Sequence, residues 1–183
     1  QDMFLKCRIC QKKLKRIIKF NKIALVGNFN RYKKREKKYP ISLNYCTKCH
    51  HVQIGEIINS DKLFKNYLWE TGVSKTNIEL FNNLVKKIRK KIKRNNKILE
   101  IASNDGSFLR YLKKKYNCTL VGVDPAMNLA KKMKGIKIIK NYYDHKISKT
   151  LNKRLGKFDF IFARNVIAHV PKPNNVFKGI SEN

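Results

Sequence analysis

From residue 97 onward, short apolar runs alternate with stretches whose apolar positions recur at helical spacing. Lys97-Ile-Leu-Glu-Ile-Ala102 opens the series. Thr119-Leu-Val-Gly-Val123, Ile136-Lys-Ile-Ile139 and Lys157-Phe-Asp-Phe-Ile-Phe-Ala163 continue it. Each run has the length and β-branched or aromatic content of a buried strand. Phe108, Leu109 and Leu112 fall on one helix face, a further helix is predicted from about Met127 to Lys134, and another rises from about Asn174. Strands alternating with helices predict a parallel, doubly wound α/β sheet. Upstream, Ser74 stands ready to cap a helix in which Ile78, Phe81, Leu84, Val85, Ile88 and Ile92 share one face. The other face carries Lys86, Lys87, Arg89, Lys90, Lys91, Lys93 and Arg94, and reads as a solvated surface rather than a phosphate site.

The first sixty residues or so lack this rhythm. Ile23-Ala-Leu-Val26 and Val52-Gln-Ile-Gly55 are short strand-like runs, Gly27-Asn28 reads as a turn, and 31–38 as an exposed basic loop. Tyr39-Pro-Ile-Ser-Leu43 leads into Cys46-Thr-Lys-Cys49, the partner of an earlier pair, Cys7-Arg-Ile-Cys10. Two CxxC knuckles supply four thiolates, a complete tetrahedral set for structural Zn²⁺ that leaves no position open for catalysis. His50 and His51 are alternative ligands by position and read as surface residues; Cys118, alone, reads as a small buried side chain. Leu63-Phe-Lys-Asn-Tyr-Leu-Trp-Glu70 is aromatic and apolar until Thr71-Gly72 interrupts it. The expected division is a zinc module over 1–60, a connector with the basic helix over 61–96, and the α/β domain over 97–183.

In an open parallel sheet, ligands bind beyond the carboxyl ends of the strands. Those ends carry residues 102–106, Asp124, Asn141-Tyr142 and Asn165, all small or polar. Ser103-Asn-Asp-Gly106 is a tight turn into a helix N-terminus, where backbone N–H groups approach a ligand closely. Asp124, at the tip of the second strand, is placed to hydrogen-bond ribose hydroxyls. His169, just past the fourth strand, has the side chain that exchanges a proton near neutral pH; capping a turn is the plainer role for the same position.

Charge adds a competing thread. The 183 residues hold 43 Lys+Arg against 12 Asp+Glu, a net charge of +31, which points to a polyanionic partner such as nucleic acid. Lys is spread over nearly every segment, however, alongside abundant Asn and Ile, as an AT-rich coding sequence would produce. No apolar run has the length of a membrane span and Gln1-Asp-Met-Phe-Leu-Lys6 has no signal-peptide core, so a cytoplasmic protein is expected. Neither end reads as a natural terminus, and a fragment of a longer chain is expected.

Taken in order, the two CxxC pairs, Asn66-Tyr-Leu-Trp69, Glu100-Ile-Ala-Ser-Asn-Asp-Gly106, Val123-Asp-Pro125 and Asn165-Val-Ile-Ala-His-Val-Pro171 make a pattern. The chain resembles the zinc-containing, S-adenosylmethionine-dependent C-methyltransferases of nucleotide-linked keto-deoxysugars. The resemblance implies a class I methyltransferase (Rossmann-like) fold truncated after strand four. It implies that Glu100, Ala102, Asn104 and Gly106 surround the methionine part and ribose of the cofactor. Asp124 would bind the ribose hydroxyls, Asn141 and Tyr142 lie near the adenine, and Asn165 near the methionine end. In the family, a base removes a proton beside the sugar ketone and the enolate attacks the methyl sulfonium. His169 matches the candidate base, and Tyr67 is a candidate substrate contact able to stabilise developing negative charge. The family continues into a C-terminal half with a Tyr-His-Glu-His type motif, so these residues alone are expected to show little or no turnover. The charge keeps two alternatives open, a zinc-containing ribosomal-RNA methyltransferase and an RNA-binding protein. Against the first stands the Ser-Asn-Asp-Gly turn where such enzymes usually carry a Gly-rich one.

Overall fold

The computed structural model describes residues 6–25, 37–130 and 135–183. The chain divides into two compact units, Gln1–Leu63 with Pro171–Asn174, and Phe64–Val170 with Asn175–Asn183.

The first unit is built on a three-stranded antiparallel sheet of β1 (Leu14–Ala24), β2 (Lys38–Cys46) and β3 (Val52–Ile54), in that order. β1 corrects the sequence reading, which placed a strand only at 23–26. Its pattern, LKRIIKFNKIA, is exposed along nearly its whole length, so no apolar–polar alternation announces it. The segment read as a lead into the second knuckle is the body of β2. The predicted turn at Gly27-Asn28 and most of the predicted basic loop lie outside the described residues, and Lys38 itself belongs to β2. The buried side of the sheet is polar: Ser42, Asn44 and Gln53 are all buried. The Ser42 N–H and hydroxyl donate to Glu56 Oε2 at 2.6 and 3.1 Å, and Asn44 Nδ2 donates to Ser42 Oγ at 3.0 Å.

The second unit carries β4 (Lys97–Ile101), β5 (Thr119–Val123), β6 (Lys137–Ile139) and β7 (Phe160–Ala163) in the order β6-β5-β4-β7, every pairing parallel. The chain steps outward from β4 to β6 and then returns to the other side of β4, so the order reverses at β4. A short α1 (Ser60–Phe64) ends the first stretch of the first unit; the helices that follow in the chain are α2 (Lys75–Ile88), α3 (Ser107–Lys113), α4 (Met127–Ala130), α5 (His145–Leu155) and α6 (Pro173–Glu182), the last with its first two residues in the first unit. Ser74 caps α2 as expected, accepting from the Asn77 N–H. The helix stops at Ile88, not Ile92, where the Lys91 and Ile92 N–H groups turn back to the Ile88 carbonyl. α5 was not read from the sequence; Asp144 caps it through the Ile147 N–H at 2.8 Å. Of the helix predicted to Lys134, α4 is seen to Ala130 and the remainder lies outside the described residues.

Strand alternation sorts the core into two clusters. Ile98 and Leu120 pack with Phe81, Val85, Phe108, Leu109 and Leu112. Leu99, Ile101, Val121 and Val123 pack with Tyr143, Leu151, Phe158 and Val176. A parallel sheet covered on both faces is the doubly wound arrangement expected. Cys118 is only half-buried beside the first cluster, because it sits just before β5 rather than inside it. Among the described residues, no helix is long and apolar enough to cross a membrane.

Candidate metal centre and cofactor crevice

Both cysteine knuckles fold alike. The Gln11 N–H donates to the Cys7 carbonyl at 3.0 Å, and the His50 N–H to the Cys46 carbonyl at 2.9 Å. Gln11 and His50 are each left-handed, with φ of 63° and 61°, which turns the chain back after the second cysteine. The hairpin then brings the pairs together: Cys7 Sγ lies 3.5 Å from Cys49 Sγ, and Cys10 Sγ 3.4 Å from Cys46 Sγ. All four sulfurs lie within 4.8 Å of one another and none is in a disulfide. Four thiolates about 2.3 Å from one Zn²⁺ stand about 3.8 Å apart, so the set fits the ion. N–H groups of Cys49 and Lys48 pull the Cys46 thiol down to about 6. At Cys49 the His51 N–H pulls the same way, but burial and the three other sulfurs outweigh it and push that thiol up to about 12. Negative charge on neighbouring sulfurs is mutually repulsive, and a cation among them offsets that repulsion. His50 is exposed and bonded through Nδ1 to the Tyr45 hydroxyl; His51 is half-buried; neither joins the cluster.

In the second unit, the chain leaves β4 through a turn in which Ala102, Asn104 and Gly106 are all left-handed, with φ of 55°, 53° and 70°. Ala102 holds at some steric cost a conformation that glycine adopts freely. Asp124, at the tip of β5, fastens this turn: its Oδ2 accepts from Asn104 N at 2.7 Å and its Oδ1 from Ala126 N at 2.8 Å. Burial pushes the Asp124 carboxyl up, against those two hydrogen bonds. Asp124 N donates in turn to the Ile139 carbonyl at 3.1 Å, tying the β5 tip to that of β6.

The Asn104 side chain is already engaged. Its Oδ1 accepts from Thr71 N at 3.0 Å and its Nδ2 donates to the Trp69 carbonyl at 3.0 Å. Gly72 N donates to Asp105 Oδ2 at 3.0 Å, and a Cβ at Gly72 would sit 2.8 Å from that oxygen. Asn128 clasps the Tyr67 backbone, donating to its carbonyl at 2.8 Å and accepting from its N–H at 3.1 Å. The 67–72 segment is thereby anchored to the ends of β4 and β5.

Glu100 is the one charged side chain in the buried register of β4, 1 % exposed on the face of Phe81 and Phe108. Arg164, immediately after β7, donates from Nε at 3.0 Å and from Nη2 at 2.5 Å, both to Glu100 Oε1. Its guanidinium lies 4.6 Å from the Phe81 ring centre and 4.4 Å from that of Phe108. Glu100 Oε2 is buried without a hydrogen-bond partner. Burial raises the Glu100 carboxyl to about 7; Arg164 opposes the rise, and Asp105 and Asp124 add to it.

Of the remaining site residues, Asn141 is exposed at the β6 tip and accepts from the N–H of Tyr142, which is half-buried. Asn165 is exposed and left-handed, with φ of 50°. His169 is exposed on a single 3₁₀ turn, Ile167–His169. The structure brings the two candidate catalytic residues to one ring: Phe64 lies 5.8 Å from Tyr67 and 6.4 Å from His169, centre to centre. Sequence reasoning missed Arg164, Phe64 and Asn128. The signal for Arg164 was there: a carboxylate inside Ile98-Leu-Glu-Ile101 needs a buried partner, and an arginine ends the neighbouring strand.

Residues 7–64 match a family model described as "Putative zinc binding domain". The C-methyltransferase NovU of Streptomyces niveus is 25 % identical over 183 residues, covering 96 % of this chain and 43 % of NovU, so the chain spans less than half of that curated relative. A solved structure titled as a putative sarcosine dimethylglycine methyltransferase from Galdieria sulphuraria overlaps 63 % of this chain and 48 % of its own, with 16 % identity and a TM-score of 0.47. A putative methyltransferase from an antibiotic biosynthesis pathway of Anabaena variabilis overlaps 60 % of this chain and 41 % of its own, with 14 % identity and a TM-score of 0.43. Both scores are too low to add to what the sheet order establishes. Residues 74–183 match a family model described as "Methyltransferase domain", and with more than half of its length inside that match the chain belongs to the methyltransferase-domain family.

Proposed function

We propose that this chain binds S-adenosylmethionine beyond the carboxyl ends of β4, β5 and β7. We take it to be part of a cytoplasmic C-methyltransferase acting on a nucleotide-linked keto-deoxysugar, with Zn²⁺ holding the first unit. The observation that carries the reading is Glu100 Oε2, a buried acceptor with no partner at the end of the central strand. A buried acceptor left unmatched is costly, and a ligand donor removes the cost. The C-methyltransferase NovU, 25 % identical along 96 % of this chain, supports the carbon acceptor.

S-Adenosylmethionine supplies, when bound, an electrophilic methyl group on a sulfonium. Glu100 Oε2 accepts from the ammonium of its methionine part. The left-handed turn at Ala102, Asn104 and Gly106 lets backbone approach it; Asn104 contributes its carbonyl, because its side-chain amide is held by Thr71 and Trp69 and its N–H by Asp124. Asp124 uses two acceptor positions on backbone N–H groups and keeps others for the ribose hydroxyls. Asn141 and Tyr142 border the adenine, and Asn165 the methionine end. His169 takes the proton beside the sugar ketone, and the Tyr67 hydroxyl donates to the oxygen on which charge develops. Lys and Arg side chains hold the diphosphate.

Isothermal titration with S-adenosylhomocysteine tests the cofactor reading. Asp124→Ala is expected to weaken binding at least tenfold, and an unchanged affinity in that variant rejects the assignment. The net charge of +31 favours a second reading, RNA binding. Phosphate-dominated association falls log-linearly with salt, and a steep fall on titration with structured RNA favours that reading.

A further inference from the structure

Arg164 has no part in the scheme above, yet it is the ion-pair partner of the buried Glu100. Its guanidinium packs over both Phe81 from α2 and Phe108 from α3, whose ring centres lie side by side 5.2 Å apart. Both of its hydrogen bonds to Glu100 go to the same oxygen, Oε1, rather than one to each. A fork donating to a carboxylate usually engages both oxygens. Here the fork leaves Oε2 empty, buried and fixed in direction. Two other acids bear on Glu100: Asp105, whose Oδ2 lies 3.8 Å from Arg110 Nη2, and Asp124, held by the backbone of Asn104 and Ala126. Both raise the cost of negative charge on Glu100, and Arg164 opposes them.

We propose that Arg164 is a positioning residue for the amino-acid end of the cofactor: held by Phe81 and Phe108, it takes Glu100 Oε1 and so presents Oε2 to the cofactor's ammonium. The inference rests on the S-adenosylmethionine reading and adds a residue to it. It also gives Phe81 and Phe108 a role beyond filling the core, because the guanidinium packs against both rings.

The test compares two probes by isothermal titration: S-adenosylhomocysteine, and 5′-methylthioadenosine, which keeps the nucleoside but lacks the amino-acid end. Arg164→Met, which keeps an apolar stem against the rings, is expected to weaken S-adenosylhomocysteine about tenfold to a hundredfold at neutral pH, as loss of a charge-assisted hydrogen bond does. Binding of 5′-methylthioadenosine is expected to stay the same. Without its cation, Glu100 keeps its proton to higher pH, so the rise of S-adenosylhomocysteine affinity with pH is expected at higher pH in the variant. Arg164→Lys, a point charge without the fork, is expected to fall between the two, and serves as the comparison if Arg164→Met does not fold. Glu100→Gln is expected to match Arg164→Met, and the double variant to be no weaker than Glu100→Gln alone. The proposal is overturned if both probes weaken together, if S-adenosylhomocysteine binding and its pH profile are unchanged, or if the two substitutions multiply. If the unsubstituted chain binds neither probe, the cofactor reading fails and this inference falls with it. If it binds both but Arg164→Met changes neither, only the role of Arg164 is refuted.

Discussion

The two units hold their interiors by opposite means. In the first, the buried positions of the sheet are Tyr39, Ser42, Asn44, Cys46 and Gln53, mostly polar, while Ile17, Ile18, Phe20 and Ile23 of β1 are exposed. In the second, β4 and β5 send Ile98, Leu99, Ile101, Val121 and Val123 into two apolar clusters and bury one acid, Glu100. Fully burying such a side chain contributes about 1.5–3 kcal/mol, so the second unit assembles a core from its sequence pattern alone. The first cannot, and four sulfurs within 4.8 Å take the place of the missing apolar area. Buried polarity is placed differently in each: spread over Ser42, Asn44 and Gln53 in the sheet of the first unit, and set at Glu100 within the apolar register of β4 in the second.

The largest separation of the two should come from the metal. Structural zinc contributes on the order of 10 kcal/mol to folding at neutral pH. Chelation, or Cys46→Ser, is expected to abolish hydrogen-exchange protection across β1 to β3 and leave β4 to β7 protected. Loss of protection in both would show that the second unit does not stand on its own core. Metal analysis of the unsubstituted chain should find one zinc.

Next in size is a pH effect confined to the second unit. Glu100 is raised from 4.5 to about 7 in the folded protein, so the folded state binds its proton more tightly than the unfolded state. Stability of the β4 and β5 amides should therefore fall as pH rises from about 4.5 to about 7, by on the order of 3 kcal/mol, and level off above. Glu100→Gln should remove most of that slope. Asp124, raised in the same direction, should leave a smaller one.

Smaller still is the close packing at β5. A Cβ on Gly122 would meet Ser103 Oγ at 2.5 Å and Ile138 Cδ1 at 2.7 Å. Gly122→Ala is expected to cost about 2 kcal/mol in urea denaturation, by overpacking. The smallest change has the opposite sign. Ala102→Gly should stabilise the fold by up to about 1 kcal/mol, since relief at a positive φ outweighs the added chain entropy. A destabilised Ala102→Gly would mean that the methyl group packs to more effect than its backbone strains.

How far the sequence foretold each unit follows from the same contrast. β4 and β5 were legible because both faces are apolar, and α2 because its stripe is wide and Ser74 caps it. β1 was hidden because its Ile and Phe are interleaved with Lys and Arg and buried on neither side. α5 was hidden because Ile147, Leu151 and Leu155 are sparse among polar residues. The cysteine cluster was readable as two local knuckles, and the hairpin that joins them was not. At the crevice, Asp124 and the turn at 102–106 stood out by spacing. The pairing of Arg164 with Glu100 depends on β7 lying beside β4, and the approach of His169 to the Phe64 ring joins positions more than a hundred residues apart.

The central claim is that the crevice at the ends of β4, β5 and β7 receives the cofactor. It is tested most directly by titrating the ¹⁵N-labelled chain with S-adenosylhomocysteine and following backbone amide resonances. Saturable shifts are predicted at residues 102–106, Asp124 and Asn165, with those of β2 and β3 unmoved. Saturable binding that leaves 102–106 and Asp124 unshifted, or no binding at all, would contradict the account.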